Sequence, residues 1–356
     1  MQPADRRHLG GLDALRGLAA LTVAIWHWHN FFVTPSTGWM QEPTSALPFY
    51  SLLRVGYTKG DWAVDLFFTI SGFVFFYLYA KSIATEKVSA SQFAMWRISR
   101  LYPLHFCTLM LVTALQMCYL HANRRFFIYQ NDPGHFAAQL AFASSWWPGD
   151  FSFNGSIWSV SIEALLYISL FILARRERTG PISCVAAVAV GCVVFYLHPV
   201  LGRGIVSFYP GGAAFRAFEA PTVRNLCALS VASVLALAAQ WPVHGLLHAA
   251  TLAAGFPVLV CMAGATDLRA RWLGQISYSS YLLHFPLQLA IVTAVAYGAP
   301  RPDFSDKMTF IAFFVLLVLL SLASFRFLET PAQNWLRHRF VTYREPKAIE
   351  ASARVG

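Results

Sequence analysis

Apolar residues fall along this chain in long blocks, not in the alternation of strands or the narrow stripe of a surface helix. The blocks cover residues 12–33, 62–80, 100–120, 156–174, 181–199, 222–240, 246–264, 275–297 and 307–328. A hydrocarbon core needs about 20 apolar residues of helix to cross it, so each block predicts a transmembrane α-helix. A tenth block, 205–219, is short, is broken by Pro210-Gly211-Gly212 and carries Arg216 and Glu219. No period of 20–50 residues recurs, which argues against a solenoid or propeller. The expected fold is an all-α polytopic membrane protein of about ten helices, occupying residues 1–336, followed by a basic, mobile tail at 337–356.

Charge decides whether the tenth block crosses. If it does, about 17 of the 27 Lys and Arg lie on the side of the N-terminus and about 6 on the other, with four inside spans or at their ends. Cytoplasmic loops collect Lys and Arg, so the crossing is kept and both termini are expected in the cytoplasm. Without it, the loop with Arg269 and Arg271 and the tail with Arg337, Arg339, Arg344 and Lys347 would face outward. Arg6 and Arg7 before an apolar run resemble a signal peptide. Asp13 and Arg16 interrupt that run and it continues to about Val33, so a retained first helix is predicted.

Composition narrows the class further. Only 12% of residues are charged and 57% are hydrophobic, against about a quarter charged in soluble domains. That excludes a soluble globule and a disordered chain. The net charge of +10 is accounted for by cytoplasmic loops, and no segment offers the basic face of a nucleic-acid binder. Cys107, Cys118, Cys184, Cys192, Cys227 and Cys261 lie in or beside apolar stretches with no C-x-x-C pair. They support neither a metal site nor a disulfide framework and read as small hydrophobes.

Ionisable groups inside a membrane are costly unless paired or facing a cavity, which makes them functional candidates. Arg16 and His27 are eleven residues apart on the first helix, about 20° past three full turns and roughly 16 Å along the axis. They share a face, while His29 points the other way. Imidazole suits a general base near neutral pH, although a membrane histidine also serves as a helix-to-helix hydrogen bond. Arg97 and Arg100, in FAMWRISRLYP, lie on one face at the start of a helix. They could clamp a phosphate or simply anchor the loop. Asp65 and Glu163 need cationic or hydrogen-bonding partners at their depth, for which His27, Arg16 or Arg100 could serve. His284 follows the hydroxyl-rich run Ser277 to Tyr281, which could line a polar cavity or tie helices together.

The chain lacks a G-x-x-x-x-G-K-[ST] loop, a G-x-G-x-x-G after a strand, H-E-x-x-H and G-x-S-x-G, so an ATP-driven pump and a serine hydrolase are unsupported. Six segments together resemble the membrane-bound acyltransferase 3 family, bacterial O-acyltransferases of cell-surface sugars. They are LGGLDALRGLAALTVAIWHW with its Arg16 and His27, WAVDLFFTISGFVFF, WRISRLYPLH, WSVSIEALLYI, LGQISYSSYLLHFPL and FLETPAQNW. The fourth departs from the family pattern at Ala164 and Leu166, where a second acidic residue and Phe are usual. The resemblance runs from about residue 9 to 336.

The resemblance implies acyl-CoA, acetyl-CoA first, as a donor bound from the cytoplasm with its phosphates on Arg97 and Arg100, aided by Arg16. His27 would be the base that activates an acceptor hydroxyl, with Glu163 or Asp65 orienting it. Ser71 or Tyr278 would donate to the oxyanion, and His284 would line the substrate cavity. The acceptor would be an extracytoplasmic saccharide or lipid-linked saccharide, the setting the inner membrane, and no metal or nucleic acid is implied. Ser145 to Gly149, with two tryptophans, could stack on a sugar, or anchor at the interface. Some members carry an appended esterase-like domain, and none is expected here. Acylation of a small secreted metabolite such as a macrolide sugar is the nearest alternative. A transporter is another, and its flux would survive loss of His27.

Overall fold

The computed structural model describes residues 8–33, 45–147 and 151–340, and all regular structure among them is helical. The elements are α1 (Gly10–Trp26), continued by a 3₁₀ turn (His27–Phe32), α2 (Tyr50–Lys59), α3 (Trp62–Ala84), α4 (Ala90–Asn123), α5 (Pro133–Leu140) and α6 (Ile157–Arg175). They continue with α7 (Pro181–Leu197), α8 (Pro199–Glu219), α9 (Val223–His244), α10 (Leu246–Ala265), α11 (Arg271–Ala296) and α12 (Lys307–Phe340). All ten expected blocks are helical. Seven helices, α3, α4, α6 and α9 to α12, are long and apolar enough to cross a membrane. Of the other three, α1 and α7 have 17 residues each, and α8 carries Arg203, Arg216 and Glu219. The protein is an all-α, multi-pass membrane protein.

Three boundaries differ from those expected. The helix of the third block begins ten residues earlier, because Ser89 and Gln92 form a capping box at Ala90 that starts the helix while the sequence is still polar. The tenth block is not broken at Pro210. Helix α8 starts at Pro199, where proline's missing N–H costs nothing, and runs through Pro210 to Glu219. Helix α12 continues to Phe340, so Arg337 belongs to the bundle and not to the tail. Residues 341–356 lie outside the described residues, as do Arg6 and Arg7.

Small residues set the packing that matters for the site. A methyl group on Gly72 of α3 would strike the Phe208 carbonyl of α8, and one on Gly211 would strike that of Thr69. These two helices therefore pack backbone to backbone, as small residues permit in membranes. Between α1 and α11, Gly17 lets Leu273 approach closely and Gly274 leaves room for the Asp13 side chain. The main core surrounds Phe68, Phe73, Phe76 and Phe208, all buried. A second cluster gathers Phe31, Phe304, Phe310 and Phe313 around Trp28, whose indole N–H donates to the Phe304 carbonyl at 3.0 Å. That anchor fixes the turn carrying His27.

Candidate active site

Six helices wall a cavity of about 480 Å³. Asp13 and Arg16 reach it from α1, Ser71 and Tyr79 from α3, Arg97 and Arg100 from α4, and Glu163 and Tyr167 from α6. Helix α11 contributes Arg271, Tyr278 and Tyr281, and α12 contributes Arg337. Five guanidiniums thus converge on one chamber.

Arg97 and Arg100 are held rigidly. Arg97 donates to Tyr79 Oη at 2.7 Å and lies over the rings of Phe75 and Tyr79, 4.9 and 5.0 Å from their centroids, where ring quadrupoles favour a cation. Arg100 pairs with Glu329 at 3.2 Å. Glu329 is 2% exposed and also accepts from Ser279 and from Ser324. Tyr79 and Glu329 both stand in π-helical turns, Phe76–Ala80 and Phe325–Glu329. One extra residue per turn re-aims a side chain at such points, and here the two turns deliver the partners of the two arginines. Arg16 and Arg271, in contrast, carry no hydrogen bond or ion pair among the described residues.

Deeper along α1 and α11, His27 and His284 face each other with ring centroids 4.7 Å apart. The chamber reaches Tyr281, about one helical turn before His284. His284 is fully buried, with Nε2 3.4 Å from Ser156 Oγ, whereas His27 is partly exposed. His27 Nδ1 is 2.9 Å from the Val23 carbonyl. A carbonyl only accepts, so Nδ1 carries the hydrogen and Nε2 presents its lone pair. Gln288 donates from Nε2 to the His27 carbonyl at 2.8 Å, and its Oε1 accepts from Asn30 Nδ2, which fixes the backbone on the other side. His29 turns away and packs its ring against Tyr57.

Several expected roles are not what the geometry shows. Asp65 does not support His27. Its fully buried carboxylate takes two bonds from Arg203 Nε, at 2.8 and 3.0 Å, and one from Nη2 at 2.5 Å, because close α3–α8 packing brings Arg203 beside it. Glu163 faces the chamber but accepts from Ser71, and no carboxylate among the described residues pairs with His27. A hydroxyl has one proton. That of Ser71 goes to Glu163, and that of Tyr278 goes to the Leu101 carbonyl at 2.6 Å, so neither is poised to donate to an oxyanion. His284 sits beside His27, outside the lining of the chamber. Of the outer tryptophans, Trp146 donates to the Ser161 carbonyl and Trp147 is exposed, while Pro148 and Gly149 lie outside the described residues.

Sequence reasoning missed Arg203, Arg271 and Arg337. Arg203 lies upstream of the block read as a span, although Pro199 at a helix start and an unpaired Asp65 both pointed to it. The other two were absorbed into the cytoplasmic charge count.

Comparison with known proteins accords with this geometry. A protein from Rhizobium radiobacter named protein 2 in the picA locus is 30% identical over 175 residues, covering 48% of this chain and 81% of its own. No solved structure matches. The family described as an acyltransferase domain matches residues 9–326, nearly the whole chain and every residue lining the chamber except His8, Gln333 and Arg337. This protein therefore belongs to the acyltransferase 3 family and is a membrane-embedded acyltransferase.

Proposed function

We propose that this acyltransferase moves an acyl group, acetyl first among the candidates, from cytoplasmic acyl-CoA to a hydroxyl of an extracytoplasmic saccharide. One observation carries the reading: a chamber whose open end is lined with arginine ends about one helical turn from a pair of facing histidines. Phosphates of the donor would lie on Arg16, Arg97 and Arg100, and the pantetheine arm would run inward past Ser71, Glu163 and Tyr281.

At the inner end, Nε2 of His27 would take the proton of the acceptor hydroxyl as its oxygen attacks the thioester carbonyl carbon. The tetrahedral intermediate then collapses with cleavage of the C–S bond. The CoA sulfur leaves as a thiolate and recovers the proton from the His27 imidazolium, so the base returns to its starting state. The Val23 carbonyl, hydrogen-bonded to Nδ1, keeps the ring in the tautomer this requires.

The test uses the full chain in lipid nanodiscs with radiolabelled acetyl-CoA and cell-surface glycan as acceptor. His27→Ala should lower transfer by about 10²–10⁴-fold, the range for loss of a general base, and leave CoA affinity unchanged. Arg97→Ala with Arg100→Ala should weaken CoA binding by at least about tenfold, the equivalent of 1.4 kcal/mol. Transfer that survives His27→Ala removes the base assignment. Unchanged CoA affinity in the arginine variant removes the phosphate clamp.

A further inference from the structure

Two neighbouring helices line the chamber with matching ladders. On α3, Phe67, Ser71 and Phe75 stand four residues apart, and on α6 so do Ser159, Glu163 and Tyr167. Residues at that spacing share a helix face and follow one another by about one turn, roughly 6 Å. Contacts join the two ladders rung by rung. Phe75 stacks on Tyr167 with ring centroids 4.0 Å apart, and the Arg97 guanidinium lies 4.9 and 6.0 Å from the two centroids. Ser71 donates to Glu163. At the third rung Tyr281 of α11 bridges the helices, its ring 5.6 Å from that of Phe67 and its hydroxyl 2.8 Å from Ser159 Oγ. Glu163 is therefore fixed between the arginines and the inner end of the chamber, one turn from each.

The middle rung presents acceptors. The single proton of the Ser71 hydroxyl is committed to Glu163, and Tyr167 Oη, 3.4 Å from Ser71 Oγ, completes the same cluster. The neighbouring walls, Ile70, Val74 and Val160, are apolar. No cation pairs with Glu163 among the described residues, and a carboxylate has about four acceptor sites, so capacity remains. An ionisable group at this depth without a counter-charge is a functional candidate. A ligand that completes it carries a hydrogen-bond donor on an otherwise apolar stretch. It is not a cation, because it must pass the guanidiniums of Arg97 and Arg100 to arrive. The pantetheine arm has this character, with two amide N–H groups set among methylene and methyl groups. We propose that Glu163 accepts the N–H of the pantetheine amide nearer the diphosphate, so that the carboxylate reads the arm while the arginines hold the phosphates. The inference rests on the acyl-CoA reading above and gives Glu163 a direct contact with the donor.

The experiment measures binding of three ligands to the full chain in nanodiscs. They are CoA, 3′-phospho-ADP, which has the phosphates without the arm, and a CoA analogue with an ester oxygen in place of that amide N–H. Wild type should bind the ester analogue roughly 10–100-fold more weakly than CoA, the scale of one hydrogen bond to a charged group. Glu163→Leu should lose a similar factor for CoA and no longer distinguish CoA from the analogue. Its affinity for 3′-phospho-ADP should stay at the wild-type value, which also reports an intact fold. Glu163→Gln keeps an acceptor oxygen and should recover part of the loss. The proposal is overturned if wild type binds CoA and the ester analogue alike, if Glu163→Leu leaves CoA affinity unchanged, or if it weakens CoA and 3′-phospho-ADP equally. If wild type binds none of the three, the acyl-CoA reading itself fails and takes this contact with it.

Discussion

Among single residues, Asp65 separates what scarcity of charge reveals from what it cannot. A carboxylate in an apolar run is conspicuous, and so are Arg16, His27, Glu163 and His284. Which partner each meets depends on which helices touch, and nothing local in the sequence encodes that. Asp65 proves to be a tie to Arg203, while His27 relies on a backbone carbonyl and a second imidazole. Asp65→Ala would leave the Arg203 guanidinium without its counter-ion, and breaking a buried pair costs about 3–5 kcal/mol. A lower thermal midpoint in detergent is expected. Replacing both, Asp65→Leu with Arg203→Met, should recover most of the loss, since apolar substitutes of similar volume are often tolerated. Transfer activity should return with stability. A stable but inactive double variant would mean that Asp65 takes part in the chemistry after all.

At the level of elements, hydrophobic blocks located every membrane helix but not its ends. The polar stretch 90–99 hid the first turns of α4 although its capping box was readable. Pro210-Gly211-Gly212 looked like a break because glycine and proline usually punctuate helices. In a membrane bundle the same glycines let α3 and α8 approach, and the helix continues. The π-helical turns left no such mark in the sequence. The one in α12 contains Phe327, which is 75% exposed. Deleting Phe327 removes the additional residue and returns this turn to α-helical spacing. Glu329, which lies within the turn, would then lose the offset that aims it at Arg100. CoA binding should be lost in the deletion and kept in Phe327→Ala, which changes only an exposed ring. Binding that survives the deletion would show that the π-helical turn does not position the site.

For the whole molecule, the loops and the chamber make one claim about sidedness. Lys87 follows α3, Arg178 follows α6 and Arg269 follows α10, whereas Lys59 precedes α3 and Arg301 follows α11. All five are exposed. If each of the ten long helices crosses, the first three share an end of the bundle with the mouth of the chamber at Arg271 and Arg337, and the other two lie at the far end. By the positive-inside rule, the excess of Lys and Arg at the first end predicts that it faces the cytoplasm, as the proposed acyl-CoA donor requires. His27, roughly 16 Å further along α1 than Arg16, then lies toward the side of an extracytoplasmic acceptor. Single cysteines at these five positions, in a variant whose six native cysteines are replaced, test the arrangement with a membrane-impermeant thiol reagent. Positions 87, 178 and 269 should label only in inverted vesicles, and positions 59 and 301 only in right-side-out ones. The reverse pattern would put the arginine-lined mouth outside the cell, away from any acyl-CoA, and the proposed direction of transfer would fail with it. A mixed pattern, with positions 269 and 301 reversed while 59, 87 and 178 label as expected, would mean that α7 or α8 does not cross.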